Sequence, residues 1–430
     1  MGTLSFVRRL VCSKCGTVYG PEENPVLCKN RDFGRLDIEY DYGAVSAKLT
    51  GASLKGREAR DVWRYEELLP ARREFAVRLG EGGTPLIRAR RLGEKLGIKN
   101  LFLKDETRNP TATFKDRAMA VGMAKAVEMG VKDVTTASSG NAAASLAAYS
   151  AAAGIKCHAF VQEDAAIGKI AQLLLYGATT VRCAQEKEGE DATVQEMLRG
   201  VYESGYYPCP SFGPFNPYQV EGPKTIPFEL FEQFSWDDIG AIFVPTGSGC
   251  LLTGVWKGVR DLKRIGLTGS YPRLVPVQPK GNRALTNAIT KNLRFDQIVA
   301  EAYPASVASG LLDPFPWDGD AALEGVRETR GAGVWVDDRS IMQGVKELAA
   351  YEGVFAEPSG AAGIAGLKKL LREGLVGKDE SVVVLVTGSG LKEPEKVMGL
   401  YPQPAKARGG RARSRARRKS GVRLKYRGTS

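Results

Sequence analysis

Lys115 lies in the run Asn109-Pro110-Thr111-Ala112-Thr113-Phe114-Lys115-Asp116-Arg117, followed by a segment rich in Ala and Met from Asp116 to Met129. Asn-Pro marks a turn and the segment after it has helix-forming composition, so the lysine is expected at the mouth of a helix. The positive end of the helix dipole opposes a charge on that side chain and favours the free amine, the form that attacks a carbonyl to make a Schiff base. A single lysine is more often a solvated surface residue, so its chemistry depends on what the chain brings to it. Three turns offer partners. Ala137-Ser138-Ser139-Gly140-Asn141 presents hydroxyls and backbone N–H groups that can hold a carboxylate, although Ser or Asn there would serve equally as a helix N-cap. Pro245-Thr246-Gly247-Ser248-Gly249-Cys250-Leu251 has glycines that let the backbone approach an anion, which suits a phosphate. It lacks the Gly-Lys-Ser/Thr ending of a nucleotide loop and the spacing of a dinucleotide fingerprint. Val386-Thr387-Gly388-Ser389-Gly390-Leu391-Lys392 is either an ordinary tight turn or the source of a hydroxyl for a ring nitrogen.

A second chemistry sits near the N-terminus. Cys12-Ser13-Lys14-Cys15 is a C-x-x-C knuckle with Cys28 further on, and zinc wants four tetrahedral ligands. The sole histidine, His158, is far along the chain, so a fourth ligand would be Asp32, a residue from elsewhere, or water; a metal-free remnant of such a module is the competing expectation. Seven cysteines, an odd number and scattered after the first three, do not form a secreted disulfide framework, and reduced thiols are expected.

The elements that must position these residues alternate. Strands are expected at Asn100–Lys104, Asp133–Thr136, Cys157–Val161, Thr180–Cys183, Ala241–Pro245, Leu274–Val277, Val334–Val336 and Val382–Val386, with helical segments between them, the pattern of an α/β protein with largely parallel sheets. All three turns would then lie at the carboxyl ends of strands, where open α/β sheets bind ligands. At 430 residues the chain is long enough for two or three domains. No apolar run reaches bilayer length and Met1 to Tyr19 lacks a signal peptide's apolar core, so a cytoplasmic protein with no membrane contact is expected. The net charge of +12 is concentrated in a tail: residues 405–430 carry eleven Lys or Arg and no acid, leaving the remainder close to neutral. Residues 404–430 are too polar to pack and are expected to be disordered. They are either a solvated extension or a nonspecific contact for nucleic-acid phosphates.

A Schiff-base lysine, a phosphate cup, an anion-holding serine turn and a hydroxyl turn together point to pyridoxal phosphate. The sequence also resembles the threonine synthase family: Asn109–Arg117 is similar to its lysine motif and Ser138-Ser139-Gly140-Asn141 to its cofactor-ring turn. Glu81-Gly82-Gly83-Thr84-Pro85-Leu86, Asn216-Pro217-Tyr218, Glu221-Gly222, Glu357-Pro358-Ser359-Gly360 and Thr387-Gly388 fall in the family's order. The resemblance implies fold type II, two doubly wound α/β domains with a small cysteine module in front. The module would be 1–42, zinc-ribbon-like, and the large cofactor-binding domain 43–106 with 208–403. The small inserted domain would be 107–207. It also implies that Lys115 bonds the cofactor, that Asn141 meets its ring hydroxyl, and that Gly247, Ser248, Gly249, Cys250 and Leu251 hold its phosphate. Thr387 would meet the ring nitrogen, and Ser138, Ser139 and Gly140 the amino-acid substrate. A homodimer converting O-phosphohomoserine and water to threonine and phosphate is implied.

The chain departs from the family pattern at Ala142, Gln219, Gly213-Pro214 and Ser389, near the substrate's phosphate end, and at Ala112-Thr113 beside the lysine. Losing an arginine fork at Gln219 removes a strong phosphate binder. β-Replacement or β-elimination on O-phosphoserine, serine or threonine therefore stands as the alternative expectation.

Overall fold

Six strands form the largest sheet of the molecule, seen in a computed structural model whose described residues are 6–138, 140–163, 165, 167–184 and 191–398. An antiparallel sheet comes first in the chain: β1 (Val7–Cys12), β2 (Val18–Tyr19) and β3 (Leu36–Tyr40), ordered β2-β1-β3. The six-stranded sheet begins with β4 (Leu86–Arg88) and β5 (Asn100–Asp105). Four strands then make a separate parallel sheet, β6 (Asp133–Ala137), β7 (Lys156–Gln162), β8 (Thr179–Cys183) and β9 (Tyr207–Pro208), ordered β8-β7-β6-β9. The chain then returns to complete the larger sheet with β10 (Ile239–Pro245), β11 (Arg273–Pro279), β12 (Val334–Val336) and β13 (Ser381–Val386), giving the order β12-β11-β10-β13-β5-β4. Only β4 runs antiparallel in it. The described residues up to Pro394 form one compact unit, and 395–398 are the described part of a second. No described helix is long and apolar enough to cross a membrane. The basic residues 404–430 lie outside the described residues.

Each of the eight expected strands forms, extended by at most two residues at an end. The apolar runs explain why: Val382–Val386 is fully buried between helical layers, as a parallel strand covered on both faces must be. Leu36–Tyr40, also expected as a strand, forms β3 with those bounds, and the strands that pattern did not reveal are β1 and β2 before the α/β region, β4 with three residues at an edge, and β9 with two, one of them Pro208.

The order β10-β13-β5 has a direct consequence for the site. These three neighbours are parallel, so their carboxyl ends lie side by side. The turns after Pro245, after Val386 and after Asp105 are therefore assembled on one edge of the sheet although more than 280 residues separate the first strand's turn from the last.

The last of those connections is clamped by a buried ionic network. Arg117, in the first turn of the helix Lys115–Glu128, has no solvent exposure. Its guanidinium donates to both oxygens of Glu106 at 2.7 and 2.8 Å and to both oxygens of Glu229 at 2.5 and 2.9 Å. Lys104 Nζ adds a second cation on Glu229 at 2.6 Å, and the backbone N–H groups of Gly83 and Thr84 donate to the same carboxylate. Two cations and two anions balance. Burial alone would raise the pKa of Glu229, but the neighbouring Arg117 and Lys104 charges outweigh it and hold the carboxyl at about 2. Removing one member leaves a buried charge without its counterion, which costs about 3–5 kcal/mol. Arg117→Met should lose that much folding stability in urea denaturation, and Arg117→Met combined with Glu229→Gln should lose less than the two single changes added together. Strictly additive losses would show that the pair is not coupled.

Candidate active site

The helix of the lysine motif begins at Lys115 itself, and the turn before it is held from three sides. Asp116 accepts from the backbone N–H and hydroxyl of Thr111 at 2.7 and 2.6 Å and from Ser145 of the helix Asn141–Ala153. Asn109 accepts from Gly82 N–H at 2.9 Å and donates to Glu106 at 2.9 Å. On the third side the turn is zipped to the one after β13. Phe114 N–H and Thr113 Oγ1 donate to the Thr387 carbonyl at 3.0 and 3.2 Å, and Ser389 N–H donates to the Ala112 carbonyl at 3.0 Å. Ala112 takes a left-handed φ of 59° to make this fit, a strained conformation for a residue with a Cβ.

The half-buried lysine reaches a residue that sequence pattern did not single out. Its Nζ donates to Ser211 Oγ at 2.9 Å, and Ser211 Oγ is 3.7 Å from Cys250 Sγ. Ser211 is itself in the left-handed region, φ 65°, and its N–H is fixed by Gln219 Oε1 at 2.8 Å. Gln219 is fully buried, with Nε2 against Met119 Sδ at 3.0 Å and its chain packed on Gly122. One of the departures from the family pattern is thus spent on holding the lysine's partner.

Cys250 opens the helix Cys250–Arg264 directly after the Pro245–Gly249 turn. Gly249 has φ 97°, and a Cβ there would stand 3.3 Å from the Asp318 backbone, so only glycine serves. Ser248 N–H, facing out of that turn, donates to Asp313 Oδ2 at 2.9 Å. Asp318 lies on the same rim: its N–H donates to the Ser248 carbonyl at 3.0 Å and its carboxylate accepts from Gly213 N–H at 3.0 and 3.1 Å. Neither acid was marked by the sequence, where both sit in an aromatic, proline-rich stretch, Asp313-Pro314-Phe315-Pro316-Trp317-Asp318. Burial pushes the Asp313 carboxyl up to about 6 and that of Asp318 up to about 7, against partial relief from hydrogen bonds and from the Lys115 and Arg35 charges.

The remaining sequence candidates divide. Asn141, first residue of its helix, donates to Glu357 Oε1 at 2.8 Å, and Glu357 N–H donates to the Gly388 carbonyl at 3.0 Å. Hydrogen bonds thus link Asn141 through Glu357 and the 387–389 turn to residues 112–114, directly before Lys115, whose amine reaches Ser211 beside Cys250. Gly247 packs beside Asp313, while Leu251 and Thr387 are buried at the same strand ends. Ser138 Oγ accepts from Gly140 N–H at 3.1 Å within its own turn, and Ser139 lies outside the described residues. Cys12, Cys15 and Cys28 gather in a separate cluster with Asp32. His158 stays away from it, bonded to Asp133 at 2.9 Å and stacked on Tyr206 at 4.2 Å.

Comparison with known proteins matches this geometry. The family model described as pyridoxal-phosphate dependent enzyme matches residues 77–388. The chain is 38% identical over 397 residues to the threonine synthase of Methanocaldococcus jannaschii, covering 92% of this chain and 95% of that one. It is 33% identical over 344 residues to that of Mycobacterium tuberculosis, 79% and 90% of the two chains. Among solved structures, maize serine racemase superimposes with a TM-score of 0.62 at 24% identity, over 74% of this chain and 91% of the other. A tomato threonine deaminase isoform gives 0.62 at 23%, over 74% and 82%. These last two speak for the fold.

The raised acids set a pH dependence. A carboxyl whose pKa is higher folded than unfolded binds its proton more tightly in the folded state, so stability is greatest below the unfolded value near 4 and falls as pH rises towards 7. For the ligand-free protein, Asp318→Asn should remove about 2–3 kcal/mol of the stability lost between about pH 5 and pH 8. The measurement is urea denaturation at the two pH values; an unchanged slope in the variant would mean that Asp318 ionises freely.

Proposed function

The chain belongs to the pyridoxal-phosphate dependent enzymes and, among them, to the threonine synthases, and from this premise we propose how its own residues divide the work. The reaction is that of a PLP-dependent lyase converting O-phosphohomoserine and water to threonine and phosphate. The observation that carries the proposal is the Lys115 amine on Ser211 Oγ, beside the first residue of the helix that follows the glycine turn.

The residues present fit the cofactor. A primary amine stands between a glycine turn and a hydroxyl turn on one sheet edge. The Ser248 N–H already donates to an acidic oxygen, that of Asp313, where a phosphate oxygen would take its place. Pyridoxal phosphate, when bound, supplies the electron sink for negative charge developing at the substrate's α- and β-carbons. In our reading Lys115 Nζ would hold it covalently, Gly247 to Leu251 would cradle its phosphate, Thr387 would face its ring nitrogen, and Asn141, aimed by Glu357, would meet its ring hydroxyl. Once the substrate's own amine has displaced it from the cofactor, the freed Lys115 amine would take the α-proton and then a β-proton, and would return protons as the γ C–O bond breaks with phosphate leaving and water adds at the β-carbon. Ser211 keeps the amine aimed and accepts its hydrogen bond, while Gln219 keeps Ser211 in its strained conformation. Asp313 must give up the Ser248 amide to an incoming phosphate, and its raised pKa makes protonation and retreat inexpensive near neutral pH. Ser138, Ser139 and Gly140 remain our assignment for the substrate carboxylate. The lobe boundaries given above, the cytoplasmic location and a homodimer belong to the same proposal.

A specific observation favours keeping the second reading in the test: Gln219 is buried and committed to Ser211, so it supplies no charge to a substrate phosphate. Purified wild-type protein should carry the visible absorbance of a lysine-bound cofactor and release phosphate from O-phosphohomoserine with equimolar threonine. Lys115→Ala should lose both. A coloured protein inert towards O-phosphohomoserine but active on O-phosphoserine, serine or threonine would replace the substrate assignment; a colourless protein that cannot be reconstituted would end it. Gln219→Leu tests the positioning role. Misaiming the amine through Ser211 should lower kcat on the order of 10–100-fold with KM nearly unchanged, whereas a contact with substrate phosphate would appear in KM.

A further inference from the structure

Outside the active site, one side-chain cluster has the composition and the dimensions of a metal centre. Cys12 ends β1, Cys15 follows in the turn closed by Cys12 N–H to the Thr17 carbonyl and Gly16 N–H to the Cys12 carbonyl, and Cys28 and Asp32 come from the facing loop. Their four donor atoms all lie within 4.8 Å of one another. Cys15 Sγ is 3.5 Å from Cys28 Sγ, and Cys12 Sγ is 3.6 Å from each oxygen of Asp32. With Zn–S near 2.3 Å and Zn–O near 2.0 Å, a tetrahedron has edges of about 3.8 Å between sulfurs and about 3.5 Å between sulfur and oxygen. The observed spacings match those edges, and they are far beyond a sulfur–sulfur bond of about 2.05 Å.

The surroundings are those of ligands rather than of loose thiols. Tyr19 Oη donates to Cys28 Sγ at 3.4 Å and Asn30 Nδ2 to Cys15 Sγ at 3.2 Å, while Gly34 N–H holds Asp32 Oδ1 at 2.9 Å. Such donors orient and stabilise thiolate and carboxylate ligands. The loop is also bent around the cluster at a cost: Arg31 and Phe33 take left-handed φ of 51° and 54°, and a Cβ on Gly34 would stand 2.4 Å from Cys12 Sγ. A metal with four ligands would hold the loop in that shape.

We propose that Cys12, Cys15, Cys28 and Asp32 form a tetrahedral zinc site that fixes the 28–35 loop against the wall of the active site. The loop's next residues make that contact. The Phe33 ring packs on Phe215 with centroids 5.6 Å apart. Arg35 binds Asp37 at 2.9 Å and Asp320 at 3.4 Å, and its side chain lies over Gly213, whose N–H is held by Asp318. Asp318 in turn donates to the Ser248 carbonyl of the glycine turn. Binding would release the thiol protons to solvent and leave the oxidation states of metal and sulfur unchanged.

The test uses the full-length protein and does not depend on turnover. Elemental analysis after dialysis should find one zinc per chain in the wild type and in Lys115→Ala alike, which separates this proposal from the assignment of the catalytic lysine. Cys28→Ser should lose the metal, and Asp32→Asn should weaken retention against a competing chelator by about 10–100-fold. Cobalt added to metal-free wild-type protein should give the intense visible bands of tetrahedral thiolate ligation, a readout that survives if the cysteine variant fails to fold. Stripping zinc should raise proteolytic cleavage within 28–35. A wild type with no zinc and no cobalt–thiolate bands, or with Cys15 and Cys28 joined in a disulfide by mass, would overturn the proposal.

Discussion

The Arg117 guanidinium, locked between Glu106 and Glu229 with no access to water, is the constraint on which the rest of the active site depends. A buried charge cannot drift, because any rotation that breaks its hydrogen bonds exposes an uncompensated ion to a low dielectric. Glu106 follows β5, Glu229 is on the helix Thr225–Gln233, and the Gly83–Thr84 amides come from the segment before β4, so one side chain fixes four segments in space. Lys115 is two residues away on the same helical turn. Its position is therefore set by a network that takes no part in the chemistry, and its amine keeps only the freedom of its own side chain.

Around that anchor the site is assembled from strand ends. The adjacency of β10, β13 and β5 puts a glycine turn, a hydroxyl turn and the lysine turn on one edge, and main-chain hydrogen bonds between 112–114 and 387–389 close two of them together. Positive φ at Ala112 and Ser211 is the conformational strain accepted for that closure, and it is stored around the Lys115 amine. Asp313 and Asp318 add an electrostatic tension beside the Pro245–Gly249 turn: burial raises both carboxyls, so each takes up a proton far more readily than an exposed acid would. The cysteine module bears on the same rim through Arg35 and Phe33, so a metal in it would act on the site through packing rather than chemistry.

Much of the fold was legible because parallel strands buried on both faces read as apolar runs, and Val382–Val386 could be nothing else. The short pairs β4 and β9 were not, because two or three residues carry no periodicity. The lysine, the glycine cup and the hydroxyl turn were legible as local chemistry on recognisable strand–turn–helix units. Ser211 and Gln219 were not, since a serine after proline and a buried glutamine look like any others until they are seen to meet Lys115. Read by type, Gln219 meant only the loss of a phosphate-binding arginine; folded, it is the clamp on the lysine's partner.

By itself, then, the sequence determined which groups the protein possesses and the order in which strands would deliver them, since turn chemistry and apolar periodicity are local properties of the chain. It also determined that Cys12, Cys15 and Cys28 were one ligand short of a tetrahedron. Only the tertiary structure decided that Asp32 gathers with them and that Arg117 would be paired with Glu106 and Glu229. It also decided that Asp313 and Asp318 would stand against the Pro245–Gly249 turn. Each of these is a meeting across a loop or between distant segments, and the energy of a buried charge depends on what surrounds it in space rather than on its neighbours in sequence.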